Sequence, residues 1–166
     1  MIRFDQGHRR FNYRIVGVAL HNDHVLLHRA DHESFWTLPG GRAEHGETAE
    51  QTLRREMLEE LETEVRIDRL LWVVENFFEY EGLSYHELAF YFLMTFPWGS
   101  VPLRAEAFDR EDAGVPLRFR WFPVRRDLLA ELPLLPGFLP EGLTELPTSV
   151  VHIVQRDTVR LPISRV

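Results

Sequence analysis

The chain of 166 residues has no cysteine and no lysine, and its longest purely apolar run, Leu88 to Met94, is short. Each absence excludes something. Without cysteine there is no disulfide framework, no thiolate metal site and no cysteine nucleophile. A reducing compartment, the cytoplasm, is therefore the expected location. A transmembrane helix needs about 20 apolar residues, so no membrane partner is expected. The opening MIRFDQGHRRFNYRI also lacks the apolar segment and cleavage site of a secretory leader. Basic charge is scarce as well: 26 acidic residues face 19 basic ones, all of them arginine, for a net charge of -7. Binding along a long nucleic acid depends on a basic track that releases counterions, so no long nucleic acid is expected as a partner. A small phosphorylated ligand remains compatible, provided a bound cation offsets the acids.

Hydrophobic residues make up 45% of the chain and aromatics 12%, enough for a packed core and for one domain over residues 1-166. Tyr13 to Leu20 and Val25 to His28 are β-branched and aliphatic runs around the turn-like His21-Asn22-Asp23, and predict paired strands. Residues 31 to 47 read as a loop punctuated by Pro39-Gly40-Gly41. Thr48 and Gln51 stand at capping-box spacing and predict a helix from Thr48 to about Leu61. Val65 to Phe78 and Tyr85 to Phe96 predict two longer strands joined near Glu81-Gly82. Pro97 to Pro116 reads as a mobile loop. A strand over Arg118 to Val124, a short helix over Val124 to Leu132, a Pro-rich stretch and a last strand over Ser149 to Gln155 follow. Strands on both sides of a central helix predict an α/β sandwich with a mixed sheet rather than a doubly wound one.

The chemistry concentrates in GRAEHGETAEQTLRREMLEELET, Gly41 to Thr63. On a helix, Glu56, Glu59 and Glu60 fall within an arc of about 100°, and Glu60 lies about 20° from the apolar Leu53. The carboxylates thus flank the buried stripe of Leu53, Met57 and Leu61. Like charges at this spacing destabilise a helix unless something compensates. A hard divalent cation does so, and Mg²⁺ and Mn²⁺ take oxygen ligands shared with phosphates. An ordinary charged helix would read the same way in isolation, and the flanking residues decide the matter. His24, His28 and His32 are also four apart, but on strand and loop they do not converge, so they are expected to be surface or packing histidines.

The segment resembles the Nudix box, Gly-x5-Glu-x7-Arg-Glu-φ-x-Glu-Glu-x-Gly-φ. Gly41, Glu47, Arg55, Glu56, Met57, Glu59 and Glu60 match seven of its nine specified positions at the right spacing, and Phe35-Trp36-Thr37-Leu38-Pro39-Gly40 looks like the usual approach. Glu62 and Thr63 depart from its Gly and its last aliphatic residue. A Glu in a left-handed cap would cost about 1 kcal/mol, so the helix is expected to end differently from one with Gly there.

The resemblance implies a Nudix-type α/β/α sandwich with a loop-helix-loop catalytic element. It implies Mg²⁺ (or Mn²⁺) held by Glu56, Glu59, Glu60 and the Gly40 carbonyl, with Glu47 ordering the site through Arg55. It further implies hydrolysis of the pyrophosphate bond of a small nucleotide: ADP-ribose, a dinucleoside polyphosphate or a sugar nucleotide. The general base would be Glu59 or one of Glu106, Asp109, Glu111 and Asp112. For substrate contacts the candidates are Trp36, Arg55, Tyr80 and Glu111, with Phe77, Phe78 and Tyr85 as further stacking surface, although most of these aromatic residues are expected to fill the core. NFFEYEGLSYHELAFYF resembles bacterial ADP-ribose pyrophosphatase-like members, while Tyr80 lies near a Tyr often carried by dinucleoside polyphosphate hydrolases. The alternatives are a nucleoside triphosphate pyrophosphohydrolase acting on oxidised nucleotides, or a nucleotide-binding regulatory module without hydrolysis. The family pattern also allows a homodimer.

Overall fold

The computed structural model describes residues 1–157 other than Ala113. In chain order the elements are β1 (Arg3–Gln6), β2 (Arg9–His21), β3 (His24–Ala30), β4 (Gly40–Arg42), α1 (Ala49–Leu61), β5 (Arg66–Tyr80) and β6 (Leu83–Thr95). A 3-10 turn (Val101–Leu103) leads to β7 (Ala107–Asp112), β8 (Val115–Pro123), α2 (Arg126–Glu131), α3 (Leu139–Gly142) and β9 (Val151–Arg156). Two hairpins are set by tight turns. Asn22 and Asp23 at φ 47° and 59°, and Glu81 and Gly82 at φ 49° and 77°, give the left-handed pair whose twist suits antiparallel strands.

The strands form one mixed sheet in the order β7-β8-β3-β2-β6-β5-β9, with β1 and β4 also pairing to β2. The pairs β2–β6 and β5–β9 are parallel and the others antiparallel. Both faces are apolar, because alternate residues of one strand serve two cores. Ile15 and Ala19 of β2 join Leu26, Phe92 and Phe119 beneath Leu53, Met57 and Leu61 of α1. Val16 and Val18 join Leu27, Val74 and Tyr91 beneath Leu129 of α2 and Leu139 of α3. Helices on both faces of a mixed sheet are the α/β/α sandwich expected from the sequence. Leu53, Met57 and Leu61 are fully buried, and each contributes about 2 kcal/mol to docking α1.

The sequence reading differs from the structure in three places. Gly40-Gly41 lies in a strand, because β4 pairs with Arg14, Ile15 and Val16 of β2. Residues 97–116 are not one loop: β7 pairs with β8 along its whole length. Its charged residues hid this: β7 is joined to β8 by backbone pairing, by the Asp109–Arg118 ion pair and by Phe108 stacked on Phe119. And α1 ends as one with glycine would, for Glu62 itself takes the left-handed conformation (φ 51°, ψ 32°). Among the described residues no helix is long and apolar enough to cross a membrane.

Candidate active site

The helix start is fixed locally. Thr48 Oγ1 accepts from the Gln51 N–H at 3.2 Å and Gln51 Oε1 accepts from the Thr48 N–H at 2.8 Å, the reciprocal cap that the spacing predicted. With its apolar stripe docked, α1 turns its acids toward β4. The side chains of Glu56 and Glu59 are 13% and 54% exposed, and Glu60 is 4% exposed. Glu56 lies directly over Gly41, where a Cβ would come within 2.0 Å of its Cδ. Gly40 is equally constrained: at φ +140° its Cβ would meet the Ile15 carbonyl oxygen at 2.2 Å. The glycines before the helix are thus the floor on which its carboxylates rest.

Arg55 ties this floor to the rim. Its Nε and Nη2 donate to Glu47 Oε1 and Oε2 at 2.7 and 3.0 Å, and Nη1 donates to Glu56 Oε1 at 2.7 Å and Glu59 Oε2 at 3.1 Å. Nη2 also reaches the Arg42 carbonyl at 3.1 Å. Glu47 accepts further from Thr52 Oγ1 at 2.9 Å and the Glu44 N–H at 3.1 Å. The bidentate guanidinium pulls the Glu47 carboxyl down to about 2, and the same pairing raises Arg55.

Glu60 sits in the opposite environment. Burial pushes its carboxyl up to about 8; Glu56 and Asp112 push the same way, while Arg14 and the Gly40 N–H oppose them. Burial also raises Glu56, against the pull of Arg55. Glu60 Oε2 is fully buried without a hydrogen-bond partner. Such an oxygen costs about 1–3 kcal/mol, and a cation would answer it. The donor set around it is hard oxygen, which suits Mg²⁺ or Mn²⁺. Among the described residues no three His, Asp or Glu side chains form a ready cage for an ion. The expected triad of Glu56, Glu59 and Glu60 is thus not gathered into a cage: Glu56 and Glu59 are both turned to Arg55.

The acids open onto a cleft of 730 Å³ between the sheet and the loop before α1. Gly40, Arg55, Glu56, Glu59, Glu60 and Tyr80 all line it, so the helix acids and two candidate substrate contacts, Arg55 and Tyr80, are brought together. Tyr80 donates to Glu33 Oε1 at 3.2 Å and, with Phe78, Tyr85 and Phe35, forms an aromatic end. Two proposed substrate contacts are not in the cleft. Trp36 is 7% exposed and packed edge-on against Phe122 at 4.9 Å, because its backbone is clamped between Pro133 and Leu135. Glu111 is exposed on β7 and outside the lining. Phe77 stacks on His86 at 4.4 Å, on the other face of β5 from Phe78. Of the four later acids only Asp112 lines the cleft. His28 is buried and bonded to the Leu38 backbone, and it also lines the cleft, as does His32.

Sequence reasoning missed the sheet side of the cleft: Asn12 and Arg14 of β2, Asn76 of β5 and Glu87 of β6. A signal existed. Each shares strand parity with core residues (Val16, Val74, Tyr91), so each is a polar group at an inward position.

Fold and site define an α/β sandwich whose loop-helix element sets a buried glutamate and a half-buried one over a cleft. The chain belongs to the Nudix superfamily, its residues 12–134 matching the model of the NUDIX domain. It is 30% identical, over 136 residues, to a protein of Mycobacterium tuberculosis described as a candidate mutator protein, MutT4, covering 80% of this chain and 50% of that one. The chain thus spans about half the length of this relative. Among solved structures, a UDP-X diphosphatase superposes with a TM-score of 0.58 at 18% identity, covering 86% of this chain and 66% of that one. An ADP-ribose pyrophosphatase of Streptococcus suis superposes with a TM-score of 0.55 at 13% identity, covering 87% and 98%. These two likenesses concern the fold.

Proposed function

We propose that the protein hydrolyses the pyrophosphate bond of a nucleoside diphosphate joined to another moiety, using Mg²⁺ or Mn²⁺ held by Glu60 and Glu56, with Glu59 and the Gly40 carbonyl completing the protein ligands. The observation that carries this reading is the unpartnered, buried Glu60 Oε2 facing a cleft large enough for a nucleotide. A cation bound there would supply charge neutralisation at the phosphoryl oxygens and ease deprotonation of the attacking water. Glu47 fixes Arg55, and Arg55 fixes Glu56 and Glu59 in the absence of metal. Arg14, which lines the cleft near Glu60, draws the anionic substrate in. Glu59, half exposed at the rim, or Asp112 accepts the proton of the attacking water. The lack of cysteine suits the reducing cytoplasm.

The relatives' names support the class of bond: one is a UDP-X diphosphatase and one an ADP-ribose pyrophosphatase. A second reading, removal of pyrophosphate from a nucleoside triphosphate, is favoured by the relative described as a mutator protein. A regulatory module without hydrolysis fits less well, since all four box glutamates are present. The test is a panel assay with Mg²⁺ and Mn²⁺ over ADP-ribose, dinucleoside polyphosphates, sugar nucleotides and normal or oxidised triphosphates, with products weighed by mass spectrometry. The expected result is metal-dependent release of a nucleoside monophosphate. If no phosphoanhydride is broken with either metal, the proposal is lost.

A further inference from the structure

The sheet wall of the cleft is ordered in rows. Strands β2, β6 and β5 are adjacent, and their register aligns Arg14, Ala89 and Val74; then Asn12, Glu87 and Asn76; then Arg10, Tyr85 and Phe78. Residues two apart on a strand share a face and stand about 6.6 Å apart. The first row lies beside the helix acids, because β4 pairs Arg42 with Arg14 and Gly41 with Ile15. Moving away from those acids, the wall therefore presents a guanidinium, then a row of carboxylate and amide, then stacked rings, with Phe78 and Tyr85 4.7 Å apart at 13°.

The middle row is built rather than incidental. Asn12 is held at both ends of its amide: Oδ1 accepts from Arg42 Nε at 2.8 Å and Nδ2 donates to Glu87 Oε2 at 2.9 Å. Only one orientation of the amide satisfies both partners, so the Glu87 carboxylate is fixed. Its other oxygen, Oε1, has no hydrogen-bond partner among the described residues. Asn76, opposite Glu87 in register, is 4% exposed, and its side-chain amide makes no hydrogen bond among the described residues, with Oδ1 fully buried. The second carboxylate oxygen of Glu87 and the buried amide of Asn76 beside it, neither bonded among the described residues, match a pair of neighbouring hydroxyls. A carboxylate is a good acceptor for a ribose 2′-hydroxyl.

We infer that Glu87 and Asn76 select a ribose diol, placing the phosphates at Arg14 and the base on Phe78 and Tyr85. The order of these subsites rests on the proposed function, whereas the diol preference is tested separately. Removing a hydroxyl from such a site leaves buried polar groups unpaired, which discriminates more strongly than a change in shape.

The experiment is calorimetric titration of the full chain with ADP and with 2′-deoxyadenosine diphosphate in Mg²⁺. Wild type is expected to favour ADP by about 10- to 100-fold, the scale of one charge-assisted hydrogen bond. Asn76→Ala removes an amide without bonded partners and should melt like wild type, and Glu87→Gln keeps an acceptor for Asn12. Each should bring the two ligands within about twofold by weakening ADP alone. A purely structural role would shift both ligands together. Equal affinities in wild type, a ratio that survives both substitutions, or no saturable binding of either ligand at millimolar concentration would overturn the inference. If the anhydride panel fails while the ratio holds, only the hydrolytic reading is lost. If the panel succeeds and the ratio is absent, only the diol assignment is lost.

Discussion

The two walls of the cleft are built by different means. The helix wall comes from one contiguous segment: cap, arginine and acids follow within 15 residues of one another along Thr48 to Glu60, and helical spacing converts that order into a surface. The sheet wall comes from three strands whose aligned residues are far apart in sequence, as Asn12 and Glu87 are, 75 positions apart. The electrostatics differ as well. On the helix wall two glutamates of the same segment stand at opposite extremes, Glu47 at about 2 beside its guanidinium and Glu60 at about 8 in a dry pocket. The difference teaches that one short segment carries two glutamates in opposite electrostatic states, and that environment alone separates them.

Replacing Glu60 gives the largest expected effect. Glu60→Gln should lower kcat by about 100-fold or more at matched Mg²⁺, since a ligand to a Lewis-acid cation supports several kcal/mol of transition-state stabilisation. Stability should move the other way. The folded carboxyl, at about 8, lies above its unfolded value of 4.5, so the folded state holds an extra proton between those values. Its stabilising contribution is complete below 4.5 and is lost as pH rises through 8. Glutamine has no such loss. In metal-free buffer the variant is expected to melt at or above wild type at pH 8, by calorimetry, with Mg²⁺ raising only the wild-type midpoint. A variant that turns over normally, or one that unfolds, breaks the contrast between the two acids.

How much of this could be read from the sequence follows the same division. The helix wall was legible because the cap, Arg55 and the acids act at fixed local offsets, and Glu47 pairs with Arg55 as expected. The sandwich was legible because β2, β5 and β6 carry dense apolar runs. The sheet wall was harder to read: in strands buried on both faces the parity of a polar residue such as Asn76 in VVENFF places it inward only once its neighbours are assigned to a core. Trp36 misled for the same reason, since an aromatic residue beside the box could face the cleft or the core, and only the bridge to Leu134 turns it inward. β4 and β7 escaped notice because pairing, not composition, holds them.

A smaller effect tests the acid paired with Arg55. Glu47→Gln removes the charge and turns one of the two oxygens that accept from Arg55 into an amide donor, at nearly the same size. The expected loss is about 1–2 kcal/mol at pH 7, modest because the side chain is partly open to water. The folded value, about 2, lies below the unfolded 4.5, so the contribution is present above 4.5 and lost as pH falls toward 2. Urea unfolding of both proteins at pH 7, 5 and 3 should show the gap closing in that order. A gap that stays constant with pH would assign the loss to packing instead of charge.

The smallest effect lies just past the end of the helix wall, where the box departs from its pattern. Glu62 is exposed and left-handed, and its N–H reaches the Leu58 carbonyl at 3.0 Å. A non-glycine residue there carries a backbone cost of about 1 kcal/mol. A carboxylate beside the last carbonyls of a helix adds a few tenths through the dipole, at about 0.3 kcal/mol. Glu62→Gly removes both costs, less the greater entropy glycine loses on folding, and should raise the melting temperature by about 2–4 °C. Glu62→Ala removes only the charge and should gain a fraction of that. Neither should change kcat, since Glu62 lies outside the cleft lining. Equal gains from alanine and glycine would show that the chain accepts glutamate here without backbone strain, and the local reading of the helix end would have to be abandoned.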